Sequence, residues 1–429
     1  MNAIGTATVD TKRCRAAVAP PQRLSRSDGM SPFQKIGEWL APSGSLRDRC
    51  VRGATKKIRH LRCRIASRPG LGLEQVLDET RDRKGVVVYP PFIDWNWMRQ
   101  RPHQLMAQFA KAGYLSLFCS PRSKTDCFRG FSRVAERLYL SDAVAPLFDL
   151  PSPIVLTGWT GHWNVIKSFH SPVLVYDYLD DLSVSSNGGK LNRQKLESHR
   201  KLAARANVVL ATARRLFDDI KSLRPDVLFC PNGVDYEHFH LNAEPPVPDD
   251  MTDIVRHGRP IVGYYGALAR WFDFELVRQT AEARPDFEFV LIGSNLDGAL
   301  ARQPRFWLPN IHWLGQKTYE ALPAYLYHFT VATIPFCINK ITRATSPVKL
   351  FEYMAGGRPI VTTDMPECRA YSSVLVAHDA AEYTAMLDEA VSRGRQPSYR
   401  QLLDADAREN TWAMRVSQIL DRVEQIPNP

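Results

Sequence analysis

From Gly85 onward the chain alternates short runs of apolar, β-branched residues with stretches of helical period. The apolar runs Gly85–Tyr89, Tyr114–Cys119, Ile154–Thr157, Val173–Tyr176, Val208–Ala211 and Val227–Cys230 read as strands. Helices are predicted between them, as over Pro102–Ala112, where Pro102 suits a first helical position and Gly113 a stop. Near-continuous apolar strands separated by helices predict a parallel sheet covered on both faces. The pattern pauses over 241–259, where Pro245, Pro246, Pro248, Asp249 and Asp250 give linker composition. It restarts with Ile261–Tyr265, Phe287–Ile292, Ile311–Leu314, Val331–Pro335 and Pro359–Thr362. The expectation is an α/β chain of two doubly wound, Rossmann-like domains, 85–240 and 260–407. Residues 408–429 follow as a closing helix, with Trp412, Val416, Ile419, Leu420 and Val423 at helical spacing. Two such domains face each other across a cleft at the carboxyl ends of their strands, where ligands bind in this class.

Residues 1–84 differ in kind. They hold 18 Lys+Arg against 8 Asp+Glu, almost all of the chain's net +11, and no strand-like run. They read as a loosely ordered basic extension, and the globular body is close to neutral. Within 51–66, Val51, Ala54, Ile58, Leu61 and Ile65 recur at helical spacing between basic residues, a pattern that fits an anionic membrane surface. A solvated extension, one docked on the body, or an organellar transit peptide fits it as well. With 429 residues, 44% of them hydrophobic, a small stapled scaffold and a disordered chain are excluded. The eight cysteines show neither C-x-x-C nor zinc spacing and read as reduced thiols. No run is long enough to span a membrane and no secretory h-region is present, so the expectation is a cytoplasmic protein, peripheral on the inner membrane face.

The segment Ala344-Thr345-Ser346-Pro347-Val348-Lys349-Leu350-Phe351-Glu352-Tyr353 carries the most chemistry. Ser346 is predicted as N-cap and Pro347 as first helical residue, with Gly356-Gly357 ending the helix. The amides of Val348 and Lys349 then offer an anion site, Lys349 adds a charge, and Glu352 on the same face can accept from ribose hydroxyls. Ordinary helix capping explains the same residues. In the first half, Asp94, Trp95, Arg99, Arg101 and His103 follow the first strand, at the cleft edge. Arg99 and Arg101 suit a phosphate, and His103 suits proton transfer. Asp180 and Asp181 follow another strand as acceptor binder or base, and Asn232-Gly233 is a turn near the hinge. Structural roles compete at each of these positions. Gly188-Gly189-Lys190 lacks P-loop spacing, Gly70-Leu71-Gly72 lacks a preceding strand, and His238 and His240 stand alone. The D-x-D at Asp404–Asp406 lies in the helical tail, against a metal-dependent transferase.

The 344–361 segment resembles the nucleotide-sugar signature of GT-B glycosyltransferases, in the family 4 and family 1-like branch that includes teichuronic-acid-type and other surface-polysaccharide transferases. Gly263–Leu268 with Trp271-Phe272-Asp273, Phe289–Gly293, Asn310–Gly315, Trp97–Leu105, Tyr176–Asp181 and Pro231–Asp235 are similar to that branch in the same order. The resemblance implies that the donor nucleotide sits on the second domain, with Glu352 on the ribose and Ser346, Pro347, Val348 and Lys349 near the diphosphate. Arg270, just after the Gly266 turn, is the candidate second cation. Ala344 stands where the family often has a glutamate facing the transferred sugar. The implied activity is transfer of a sugar from a nucleotide diphosphate sugar to a glycan or lipid-linked acceptor, retaining, with no metal or cofactor and no nucleic-acid partner. The alternatives are a nucleotide-sugar epimerase, a phosphorylase, and a non-catalytic protein that binds membrane or nucleic acid.

Overall fold

The computed structural model describes residues 70–123, 125–182 and 193–426. The first domain is an eight-stranded sheet built from β1 (Val86–Tyr89), β2 (Leu115–Cys119), β3 (Phe131–Ala135), β4 (Leu138–Ser141), β5 (Ile154–Thr157), β6 (Val173–Tyr178), β7 (Val208–Ala211) and β8 (Leu228–Phe229). Its order is β3-β4-β2-β1-β5-β6-β7-β8, parallel except where β3 runs against β4. The second domain has β9 (Ile261–Tyr265), β10 (Glu288–Ile292), β11 (Ile311–Trp313), β12 (Val331–Ile334), β13 (Ile360–Thr363) and β14 (Val374–Ala377), all parallel in the order β11-β10-β9-β12-β13-β14. Both sheets therefore reverse direction beside their first strand, at β1/β5 and β9/β12. Ligands of doubly wound sheets bind at that crevice.

The central strands are buried along their whole length, which is why they read as unbroken apolar runs. Helix Trp412–Glu424 leaves the second domain and packs on the first. Trp412, Val416 and Ile419 share a core with Val87, Leu105, Met106 and Phe109. The crossing is fixed by two backbone hydrogen bonds, Val234 N–H to Asn410 O at 2.9 Å and Trp412 N–H to Val234 O at 3.0 Å.

Several elements differ from the sequence reading. Residues 70–84, assigned to the extension, belong to the body: Leu71 bridges to Phe131, and helix Leu73–Glu79 buries Val76. The 241–259 linker contains helix Thr252–Arg256, which with the preceding turn buries Met251 and Ile254. Strands β3, β4 and β14 were not anticipated. Cys119, Cys230, Cys337 and Cys368 are free thiols, whereas Cys127 is disulfide-bonded, against the expectation of reduced thiols throughout. Segment 51–66 and the Gly188–Lys190 motif lie outside the described residues. Among the described residues no helix is long and apolar enough to cross a membrane.

Candidate functional site

A cavity of about 370 Å³ opens between the two domains at the carboxyl ends of their strands. It gathers Arg99, Arg101, Asp180 and Asn232 from the first domain with Arg270, Ser346, Pro347, Val348 and Lys349 from the second. The floor is set by helix Val348–Ala355. Its N-cap is Pro347, one residue later than anticipated, and no side chain caps the helix. The Val348 and Lys349 amides are therefore the uncapped first-turn donors, with the positive end of the dipole behind them.

Ser346 has a different task from the expected cap. Its hydroxyl accepts the Asn232 amide N–H at 3.2 Å, and its carbonyl accepts the Asn232 side-chain amide at 2.6 Å. Lys349 lies over the rings of Phe336 and Tyr264, Nζ 4.9 and 5.5 Å from their centroids. Burial pushes its pKa down, and the Glu352 carboxylate opposes that shift. Gly266 makes the room: a Cβ there would lie 3.0 Å from Lys349 Cε, and its φ of +140° suits only glycine. At Gly293 a Cβ would sit 1.8 Å from Gly266 O, so the loops after β9 and β10 touch backbone to backbone.

Glu352 does not line the cavity. It is 6% exposed; burial raises its pKa, with Tyr265 and Lys349 pulling the other way. The Tyr319 phenol is pushed up by burial and by Glu352, and its hydroxyl accepts a 2.9 Å hydrogen bond from Gln104 of the first domain. Tyr319 thus reaches across to the facing domain. Arg99 sits between the domains in the same way, its guanidinium 5.1 Å from the Trp95 ring and 5.5 Å from that of Tyr319. Arg270 is exposed at the rim, with its amide held by Asp297 at 3.1 Å.

Four first-domain candidates have structural work instead. Arg101 is 4% exposed and bonded to Asp177 through Nε at 2.8 Å, to the Pro231 carbonyl at 2.8 Å and to Cys230 Sγ at 3.3 Å. A guanidinium so committed is not a free phosphate ligand. His103 is fully buried: Nδ1 accepts from the Gln100 amide and Nε2–H donates to Asp94 O, which closes the start of helix Arg101–Lys111. Burial lowers its pKa to about 4, so it is neutral and enclosed, unsuited to moving protons. Asp94 accepts from the amides of Ser123, Thr125 and Asp126, while Asp126 accepts from those of Trp95 and Asn96; the two carboxylates pin one loop to the other. Trp95 packs in the core against Phe118 and His103. Asp181 is buried, 3.5 Å from Lys340 of the second domain, whereas its neighbour Asp180 is exposed on the cavity.

The sequence reading missed Phe336, Tyr319 and the aromatic pair Phe92 and Trp159. That pair is exposed at the carboxyl ends of β1 and β5, ring centroids 5.1 Å apart. Unlike the Lys349 segment, these residues form no local pattern; strand assignment alone would have put them at the cleft edge.

Residues 259–392, most of the second domain, match the family model Glycosyl transferases group 1. Together with the first domain, the second forms the GT-B glycosyltransferase fold. A protein of Bacillus subtilis strain 168, TuaH, whose name places it in teichuronic acid biosynthesis as a glycosyltransferase, is 26% identical over 195 residues. That match takes in 44% of this chain and 48% of the relative, about half of its length. Similar solved structures include sucrose-phosphate synthase from Thermosynechococcus elongatus, 14% identical over 80% of this chain and 99% of that one, with a TM-score of 0.60. Another is Anabaena Alr3699/HepE in complex with UDP-glucose, 14% identical over 80% and 100% of the two chains, with a TM-score of 0.57. A third is the trehalose 6-phosphate synthase of Burkholderia multivorans, 12% identical over 80% and 98%, with a TM-score of 0.60.

Proposed function

We propose that the chain is a glycosyltransferase that moves a sugar from a nucleotide diphosphate sugar to a glycan or lipid-linked glycan acceptor in surface-polysaccharide synthesis. One observation carries this reading: Lys349, Arg270, Arg99 and two uncapped helix amides converge on a single interdomain cavity. Negative charge grows on the departing diphosphate in such a transfer, and preorganised cations and amides in an enclosed site stabilise it more than they stabilise the substrate. In this proposal these groups supply the positive charge and no metal takes part. Glu352 would hold the ribose, which requires its buried carboxylate to be uncovered as donor enters. The names of the B. subtilis relative and of the UDP-glucose complex support the substrate class.

Ala344 is fully buried among first-domain side chains and cannot take the sugar-facing role of a carboxylate. Asp180 is the exposed carboxylate on the cavity, so it would orient the transferred sugar or the acceptor hydroxyl. Phe92 and Trp159 offer ring faces for an acceptor sugar. The proposed transfer keeps the configuration at the anomeric carbon. Incubation with nucleotide sugars, with and without oligosaccharide acceptors, tests the proposal by product analysis. Acceptor-dependent release of a nucleoside diphosphate supports it; an epimerised donor, or phosphorolysis of the glycan, would replace it.

A further inference from the structure

The opposite edge of the second sheet carries a second cavity of about 440 Å³. It lies at the amino ends of β9, β12 and β13, one strand length, roughly 16 Å at ~3.3 Å per residue, from the interdomain cavity. Its lining includes Arg259, Arg358, Arg395 and Arg400, with His328, and no carboxylate. Two acids beside the cavity are already engaged: Glu288 by Arg259 at 3.2 Å and by His257 and His312 at 2.8 and 2.7 Å, and Asp404, which lines the adjoining cavity with Arg358 and Arg400, by Arg408 at 2.7 Å. Arg358, Arg395 and Arg400 form no ion pair among the described residues.

These guanidinium groups are held in place. Arg358 lies 4.8 Å over the Tyr327 ring, with Nε donating to Gly356 O at 3.2 Å and Nη1 to Phe329 O at 3.3 Å. Arg400 donates through Nε to Gly394 O at 2.8 Å. Backbone carbonyls thus take Nε and Nη1 of Arg358 and Nε of Arg400, and leave Arg358 Nη2 and both terminal nitrogens of Arg400 for a ligand. Burial depresses the Arg358 pKa; the Tyr327 phenol opposes that shift and the Arg400 charge adds to it. His328 Nε2 is buried with no hydrogen-bond partner. A solvated arginine face would spread its charges apart and pair some of them; here three unpaired guanidiniums share one concavity.

We propose that this cavity is a binding site for a phosphate-bearing ligand, held by Arg358, Arg395 and Arg400. Three unpaired cations match an anion of charge two or more, and the guanidinium fork fits tetrahedral phosphate oxygens through paired N–H bonds. The volume admits a phosphorylated small molecule or a lipid phosphate headgroup. The site does not depend on the donor site, and it shares no residue with it.

Inorganic pyrophosphate is the probe, titrated by calorimetry into the full chain carrying Lys349→Ala, which weakens the interdomain cavity. Binding should persist there and weaken at least tenfold when Arg358→Ala and Arg400→Ala are added. The exposed pair Arg395→Ala and Arg400→Ala serves as a second variant that leaves the Arg358 packing intact, and thermal melts without pyrophosphate check that each folds. Absence of binding in the Lys349→Ala chain, or binding indifferent to both arginine variants, overturns the proposal. Two further arms identify the source. Competition by soluble sugar phosphates points to a free metabolite. Arginine-dependent sedimentation with phosphatidylglycerol–phosphatidylcholine vesicles, but not with phosphatidylcholine alone, points to a lipid headgroup.

Discussion

The side-chain amide of Asn232 donates to the carbonyl of Ser346 at 2.6 Å, so the turn that closes the first sheet is anchored to the entry of the anion-facing helix. The same turn is gripped from behind. Arg101 and Arg415 both donate to Pro231 O, at 2.8 and 3.1 Å. A continuous path therefore runs from the closing helix through Pro231-Asn232 to Ser346. Asn232→Ala should lower donor affinity several-fold and cost about 1–3 kcal/mol of stability, the scale of a buried partner left unpaired. Calorimetry with the donor nucleotide and urea unfolding measure the two effects. Unchanged affinity in the folded variant would show that this anchor does not position the helix.

Trp159 and Phe92 are assigned to the acceptor side. Trp159→Ala should raise the acceptor KM roughly two- to tenfold, given ~0.5–1.5 kcal/mol for aromatic contact, and leave nucleotide binding as it was. Initial-rate kinetics with acceptor varied at saturating donor separate the two. An equal loss of donor affinity would move the pair to the donor side.

Arg101 and Asp177 form a buried pair in which each needs the other. Asp177→Ala leaves an uncompensated guanidinium and should destabilise by about 3–5 kcal/mol, while the double variant Arg101→Met, Asp177→Ala should lose less. The order of their urea midpoints checks this. Were the double variant the less stable one, the pair would be contributing more than mutual neutralisation.

Among the described residues three histidines are buried and neutral: His103, His162 and His199, each with its pKa lowered to about 4 by burial. The unfolded chain takes up their protons near pH 6.5, the folded chain only near pH 4, so stability falls as pH drops through that window. Each contributes about 1.4 kcal/mol per pH unit there at most. His162, which bonds Thr157 Oγ1 at 2.7 Å and Pro91 O at 3.2 Å, is the simplest to remove. Between pH 6.5 and 4.5, His162→Gln should unfold with a shallower pH dependence than the parent, carboxylate contributions cancelling in the comparison. Parallel profiles would place the His162 proton elsewhere.

The parts of the fold read from sequence are those where burial on both sheet faces leaves an apolar run, as in β1, β9 and β12. Edge strand β3 escaped because four of its five residues face outward or partly outward. Helix Leu73–Glu79 was hidden by the basic composition around it. At the site, Lys349 and Arg270 were legible because a helix start and a glycine turn fix where the chain points. Asp94, Arg101 and His103 were misplaced for a shared reason. A polar residue after a strand can face the cleft or satisfy buried amides, and spacing does not distinguish them. Their partners, Asp126, Asp177 and the Gln100 amide, appear only once the chain is folded.

The central claim is that the cavity at Lys349 holds the diphosphate of a nucleotide donor. Its most direct test is calorimetric titration of the full chain with nucleoside diphosphates and their sugars, alongside Lys349→Ala and Glu352→Ala. One nucleotide should bind, with affinity reduced roughly 10–100-fold in each variant, as expected for losing a charged hydrogen bond of ~1.5–3 kcal/mol. Binding that both folded variants retain in full, or no binding of any nucleotide to the parent chain, would contradict it.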